Sequence, residues 1–411
     1  MGGDKRPIAI DSLTIAQAVE LETCVKCSAC AKSCPIYDAD KRKVAIPLTK
    51  LTELRYLLNK NNGILSTILP RSRSVPLERL EKSSWESYRC TLCGRCMTGC
   101  AFGIQNRELR EALRSILYRS GVLPKPLRKI AASLRDVRNP FGADPKARAK
   151  WIEDMGFREV PVQEKADTVF FVGCSSAFSD TNRRIAYATA SILNTVGERW
   201  TLLGERESCC GNPWIALGDQ SKALEYAFNN ISLIESLGVK RVVTSCASCY
   251  KMLKWKYPQL ALRHPRFEVL HTTEFMERCI ADNRIAFKKL DKTVTYHDPC
   301  ELSRLGGVIE EPRRILHRLT DNYVEMPENR MDTYCCGGGA FLEDIDNELR
   351  LDVGAIRIGH AEKIHADILT SACPICRTTL HESAKKIGSD LRVMDITELL
   401  AEQMGIAQWK D

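Results

Sequence analysis

The 411-residue chain lacks any run of about 18 apolar residues, so no segment reads as a helix able to span a bilayer. Its first residues, Met1 to Arg6, are polar and charged where a secretory signal would carry an apolar core, and a soluble or at most peripheral protein is expected. No nucleic-acid recognition motif accompanies its basic residues, so DNA and RNA are not expected partners. Hydrophobic residues make up an ordinary 44%. The length suits two or three domains.

Cysteine is the residue in excess, with 19 in the chain. An odd count and tight Cys-x-x-Cys spacing suit metal ligation better than a disulfide framework. The net charge is +8, with clusters at Lys41-Arg42-Lys43, Arg71/Arg73 and Lys125/Arg128/Lys129. Such clusters read either as solvated surface or as a face for an acidic partner, an anionic membrane or an anionic substrate.

The cysteines fall into two systems. From Cys174 to Cys376 one pattern occurs twice: Cys174, Cys209-Cys210-Gly211 and Cys246-x-x-Cys249, then Cys300, Cys335-Cys336-Gly337 and Cys373-x-x-Cys376. The offset between copies is 126 residues at the first three cysteines and 127 at the last two, which reads as duplication of a metal-binding unit. Upstream, Cys24-x2-Cys27-x2-Cys30-x3-Cys34 recurs as Cys90-x2-Cys93-x2-Cys96-x3-Cys100. In two-cluster ferredoxins the fourth cysteine of each such run serves the other cluster. The expected cubane [4Fe–4S] ligand sets are therefore Cys24, Cys27, Cys30 and Cys100, and Cys90, Cys93, Cys96 and Cys34. A pair of zinc knuckles is the alternative. Ala101 follows Cys100 where the motif ordinarily has proline.

Around these motifs, Leu48, Leu51, Leu54, Leu57 and Leu58 predict a helix ended by Asn61-Asn62-Gly63. Leu109, Leu113, Ile116 and Leu117 predict another, stopped by Gly121, Pro124 and Pro126. The expected organisation is an α-helical dicluster module over 1–130 and a linker over 131–165. Two α/β units follow, 166–290 and 291–411. Pro140, Gly142, Pro145 and Pro161, with Trp151 and Phe157, mark the linker as a surface connector without chemistry of its own.

Each later unit alternates strand and helix. Thr168 to Val172 leads to Cys174 and Arg241 to Thr244 leads to Cys246. Val294 to Tyr296 leads to Cys300 and Ala366 to Thr370 leads to Cys373. Helices are expected at 185–193, 221–237 and 349–362. The alternation predicts parallel sheets with the cysteines beyond the carboxyl ends of the strands. Five thiolates exceed what one tetrahedral zinc needs, and adjacent cysteines strain to reach one metal, so a multi-iron cluster of unusual shape is expected. Gly211 and Gly337 would let the backbone approach it closely. Zinc in the first copy is the alternative, and a redox Cys-x-x-Cys disulfide would leave three cysteines per copy unexplained. His297 is a candidate proton donor or hydrogen-bond donor to a cluster sulfur, or a strand cap. Cys279 reads as packing, and Trp214 and Phe341 as cluster shields or core.

The double Cys-x34-Cys-Cys-Gly pattern, with the phrases His297-Asp-Pro-Cys300, Cys335-Cys-Gly-Gly-Gly339 and Ser371-Ala-Cys-Pro-Ile-Cys376, resembles the cysteine-rich (CCG) domains of heterodisulfide reductases. Fusion to a dicluster module is similar to their D-type catalytic subunit. The resemblance implies an α+β multi-domain fold, an α-helical dicluster ferredoxin module followed by a duplicated CCG domain with pseudo-twofold symmetry. It implies two cubane and two noncubane [4Fe–4S] clusters, each noncubane one held by five cysteines of one copy. A small disulfide, in methanogens that of coenzyme M and coenzyme B, would be cleaved between the latter, with each sulfur captured by an iron. Electrons would come from a membrane cytochrome b-type subunit or a flavoprotein. The protein would then be an anaerobic, cytoplasmic oxidoreductase, peripheral on the inner face of the cell membrane. Relatives using the same layout as electron-transfer subunits of glycerol-3-phosphate, glycolate or lactate dehydrogenases imply the alternative, a carrier toward a quinone pool.

Overall fold

In a computed structural model, residues 5–8, 13–62, 74–154 and 165–408 are described. Arg71, Arg73, Phe157, Pro161 and Gly63 lie outside them. The chain forms two compact units.

The first unit comprises Met1–Ala131 together with Pro213–Ser221 and Gly337–Val353. Strand β1 (Lys5–Pro7) pairs antiparallel with β2 (Ser74–Pro76). The longer helices are Ile15–Thr23, Pro47–Asn62, Leu77–Tyr88 and Asn106–Arg119. Thr14 and Gln17 close a capping box at the first of them. Both leucine stripes point inward: Leu51, Leu54 and Leu57 pack with Leu21, Leu80, Leu109, Leu113, Ile116 and Leu117 in one core. Short helical turns, Ala29–Lys32 and Arg95–Thr98, carry Cys30 and Cys96.

The two motif loops share a backbone path. Lys26 (φ 58°) and Ser28 (φ 63°) in the first match Leu92 (φ 53°) and Gly94 (φ 77°) in the second. Left-handed residues on either side of the second cysteine curl each loop tightly about it. Segment Pro213–Ser221 packs closely here: a β-carbon on Gly218 (φ 102°) would lie 2.6 Å from the backbone of Arg114.

The second unit comprises Ala132–Asn212, Lys222–Cys336 and Gly354–Asp411. It holds two parallel sheets. Strands β3 (Thr168–Phe170), β4 (Trp200–Thr201), β5 (Arg241–Thr244) and β6 (Glu268–His271) lie in the order β4-β3-β5-β6. Strands β7 (Val294–His297), β8 (Ile368–Ser371) and β9 (Arg392–Asp395) lie in the order β7-β8-β9. All these pairings are parallel, as the strand–helix alternation requires. A single parallel bridge, Val294 to Tyr323, stands where β4 stands in the first sheet.

The copies correspond in detail at their last strands. His271 and Asp395 end β6 and β9 and cap the helices Thr272–Ala281 and Ile396–Gln403, with Glu274 and Glu398 completing capping boxes. Burial holds the His271 imidazole near pKa 3 and pushes the Asp395 carboxyl up to about 8. Cys279 is packed at 1% exposure on the first of these helices.

Candidate iron–sulfur sites

In the first unit, Cys24, Cys27 and Cys100 surround Cys30, while Cys90 and Cys93 lie about Cys34. Cys34, Cys90 and Cys93 in turn lie about Cys96. The crossed grouping expected from the spacing is thus the grouping of neighbours. In the first set Cys27 is exposed and Cys24, Cys30 and Cys100 are half-buried, whereas in the second Cys93 and Cys96 are buried and Cys34 and Cys90 half-buried. Cys34, Cys90, Cys93 and Cys96 line one cavity with Arg107 and Arg110.

Arg110 tests whether this pocket suits an anionic cluster. Its Nη1 donates to Cys90 Sγ at 3.4 Å, and its Nε and Nη2 are buried without a hydrogen-bond partner among the described residues. Burying a guanidinium this way is costly unless negative charge faces it. Four thiolates with inorganic sulfide would supply that charge. Although burial disfavours its thiolate, Cys90 sits below the usual thiol pKa because Arg110, Arg114 and Lys50 surround it.

In the second unit each five-cysteine set begins beyond the carboxyl end of a strand. In the first copy, side-chain contacts link Cys174 to Cys209, Cys209 to Cys210, Cys210 to Cys249 and Cys249 to Cys246. In the second, Cys335, Cys336, Cys376 and Cys373 are linked the same way, with Cys336 and Cys376 sulfurs 3.3 Å apart. Cys300 is the least buried of that set. The two sets meet at Cys246 and Cys373. One glycine makes room for a thiol, while the two that follow the paired cysteines face Ala223 and Arg350 instead. Gly173 (φ 75°) has Cys249 Sγ 3.1 Å from where a β-carbon would stand, and Gly211 (φ 86°) and Gly337 (φ 95°) follow the paired cysteines. Nine thiols linked in two touching nests, with Cys300 the tenth beyond the end of β7, fit polynuclear iron–sulfur groups better than isolated ions.

The surroundings differ between copies. At the first, Arg148 donates to Cys174 Sγ at 3.5 Å and pairs with Glu207 at 2.7 Å, both essentially buried. Glu207 also accepts the backbone N–H groups of Val172 and Gly173, which lead into Cys174. At the second, His297 lies at the end of β7, and one of its ring nitrogens is within 4.8 Å of Cys336 and Cys376 sulfurs. Arg357 Nε donates to His297 Nδ1 at 3.3 Å. A guanidinium only donates, so Nδ1 is the acceptor and the ring proton sits on Nε2. The position matching His297 in the first copy is the buried Phe171.

The cysteine-rich domain family matches residues 168–254 and 294–381, and the 4Fe-4S dicluster domain family matches 20–104. The D-type subunit of dihydromethanophenazine:CoB–CoM heterodisulfide reductase from Methanosarcina barkeri is 35% identical over 98% of this chain and 99% of its own. The chain belongs to the family of heterodisulfide reductase D-type subunits. It is thus an iron–sulfur oxidoreductase subunit. An EtfAB:quinone oxidoreductase from Syntrophomonas wolfei is 26% identical over 94% of this chain and 58% of its own. In fold, a hypothetical protein from Helicobacter pylori superposes with a TM-score of 0.55 at 12% identity, covering 88% of this chain and 73% of that one.

Among the described residues, no helix is long and apolar enough to cross a membrane. The supporting residues Arg110, Arg148, Glu207, Gly173 and Arg357 were not legible as functional in the sequence. Arg148 lies in the stretch read as a chemically silent connector, on the short 3-10 helix Pro145–Ala149. Trp214 is fully buried and Phe341 half-buried.

Proposed function

We propose that the ten cysteines of the second unit hold two noncubane [4Fe–4S] clusters that together reduce a small disulfide, with single electrons arriving through two cubanes in the first unit. The observation that carries this reading is the meeting at Cys246 and Cys373 of the two linked cysteine groups, one from each copy. The ligands would be Cys174, Cys209, Cys210, Cys246 and Cys249 in one copy, and Cys300, Cys335, Cys336, Cys373 and Cys376 in the other. The cubane ligands would be Cys24, Cys27, Cys30 and Cys100, and Cys34, Cys90, Cys93 and Cys96. When bound, these groups supply one-electron steps and iron with affinity for sulfur.

The reaction R–S–S–R′ + 2 e⁻ + 2 H⁺ gives two thiols, so two electrons delivered singly must be gathered at one place. The chain's own residues prepare that place. Arg148 and Glu207 fix the loop that carries Cys174. His297, with Nδ1 engaged by Arg357, turns a fixed N–H toward Cys336 and acts as a positioning donor rather than a source of protons. The D-type relatives named for dihydromethanophenazine:CoB–CoM heterodisulfide reductase support that disulfide as the substrate; the donor in this reading would be a membrane cytochrome b-type subunit or a flavoprotein. The chain would then dock peripherally at the cytoplasmic face of the membrane.

Turnover with the disulfide and a reduced viologen tests the reading. Cys335→Ala is expected to lower it at least a hundredfold; full turnover would overturn it. The likeness to an EtfAB:quinone oxidoreductase supports a second reading, a carrier between a flavoprotein and quinone, which the wild-type protein would reveal by showing no disulfide turnover while still accepting electrons from a flavoprotein.

A further inference from the structure

The two four-cysteine sets of the first unit stand in unlike surroundings. The Cys24/Cys27/Cys30/Cys100 set is open to solvent at Cys27. The Cys34/Cys90/Cys93/Cys96 set lines a cavity together with Arg110, which is 3% exposed. Arg110 donates to Cys90 Sγ and keeps two further N–H groups buried without a hydrogen-bond partner among the described residues. Its neighbours on the same helix are differently engaged. Arg107 pairs with Glu111 at 3.1 Å, and Arg114 donates to the carbonyls of Ser87, Cys90 and Ala216. Lys50, 4% exposed, is a second buried cation within electrostatic reach of Cys34 and Cys90.

A buried cation hydrogen-bonded to a ligand sulfur favours the more negative, reduced state of a cluster, and solvent screens a charge at an exposed cluster more than at a buried one. We infer that Arg110, seconded by Lys50, makes the Cys34/Cys90/Cys93/Cys96 centre the more oxidising of the two cubanes, so that electrons arrive at the exposed centre and collect at the buried one. This rests on the reading that the eight cysteines hold two cubanes. Arg110 is a positioning residue in this scheme, acting through the cluster's potential. Its field also reaches Cys30, so both centres respond, the buried one more.

An anaerobic redox titration followed by low-temperature electron paramagnetic resonance tests it, with Cys27→Ser identifying the signal of the exposed centre. Arg110→Gln is expected to lower the midpoint of the buried centre by more than that of the exposed one, narrowing or reversing their gap. Arg110→Lys should restore most of the gap, and Lys50→Met should shift the same midpoint in the same direction by less. Two loaded centres with unmoved midpoints in Arg110→Gln, or a larger shift at the exposed centre, overturn the inference while leaving the two-cubane reading intact. Fewer than two cubane signals from the wild-type protein would instead defeat that reading. Should Arg110→Gln lose the buried centre, its recovery in Arg110→Lys supports the role of the charge. No recovery, with an unmoved midpoint in Lys50→Met, counts against it.

Discussion

The two halves of the second unit carry the same five cysteines yet hold them by different means. In the first, the loop after β3 is anchored from outside: Glu207 accepts its backbone N–H groups and pairs with Arg148, which reaches Cys174. In the second, the loop after β7 supplies its own carboxylate. Asp298 pairs with Arg313 through two contacts of 2.8 Å, and Glu325 shares the same guanidinium. At the ends of the matching strands the contrast continues, with Phe171 in one half at the position that His297 holds in the other. What the geometry demands is a rigid loop and a dry sulfur nest. A buried arginine–carboxylate pair meets that demand from either direction, so the cysteine positions repeat while their supports do not.

Breaking each anchor in turn should have the largest effect. Arg148→Met and Arg313→Met each strand a buried carboxylate, at a cost of about 3–5 kcal/mol. Anaerobic urea unfolding is expected to show similar losses for both. Only Arg148→Met should also alter the paramagnetic signal of the first copy. Equal spectral changes in both variants would erase the distinction drawn here.

The glycines separate the copies at a smaller scale. A β-carbon on Gly337 would fall on the carbonyl oxygen of Arg350, whereas on Gly211 the nearest atoms stand at 3.4–3.6 Å. Both residues have positive φ, so alanine strains either by about 1–2 kcal/mol. Gly337→Ala is expected to lose more stability and more iron than Gly211→Ala, as measured by unfolding midpoint and metal analysis. Equal losses would mean that backbone conformation alone governs both sites.

The smallest expected effect concerns the matched caps. Asp395 has its folded pKa raised from 3.8 to about 8 by burial. Its contribution to stability is therefore full below pH 4 and is lost as pH rises through 8. His271 has its folded pKa lowered from 6.5 to about 3, also by burial. Its contribution is full above pH 6.5 and is lost as pH falls toward 3. Asp395→Asn should thus flatten the fall in stability between about pH 4 and pH 8 and leave the curve below pH 4 unchanged. An unaltered slope across that window would show that Asp395 is ionised in the folded protein.

Much of this architecture was readable from residue order. The leucine stripes gave the helices Pro47–Asn62 and Asn106–Arg119, and short apolar runs ending at cysteines gave β3, β5, β7 and β8. Strands β6 and β9 escaped because each is only four residues long and no cysteine follows to mark its end. The helix Lys125–Val137 escaped because Pro124 and Pro126 look like breakers, although proline is well tolerated in a first turn. Thiol groupings were legible because ligand spacing is local and repeated. Arg110, Arg148 and Arg357 were not, since a buried arginine and a solvated one have the same letter and only tertiary packing tells them apart.

Iron counting by low-temperature electron paramagnetic resonance and metal analysis of oxygen-protected protein, with and without added disulfide, bears most directly on the whole account. It should find two ferredoxin-type signals and two further iron–sulfur centres, one of which changes when the disulfide is added. A protein with only the two ferredoxin-type signals, whose second unit contains zinc or no metal, would contradict it.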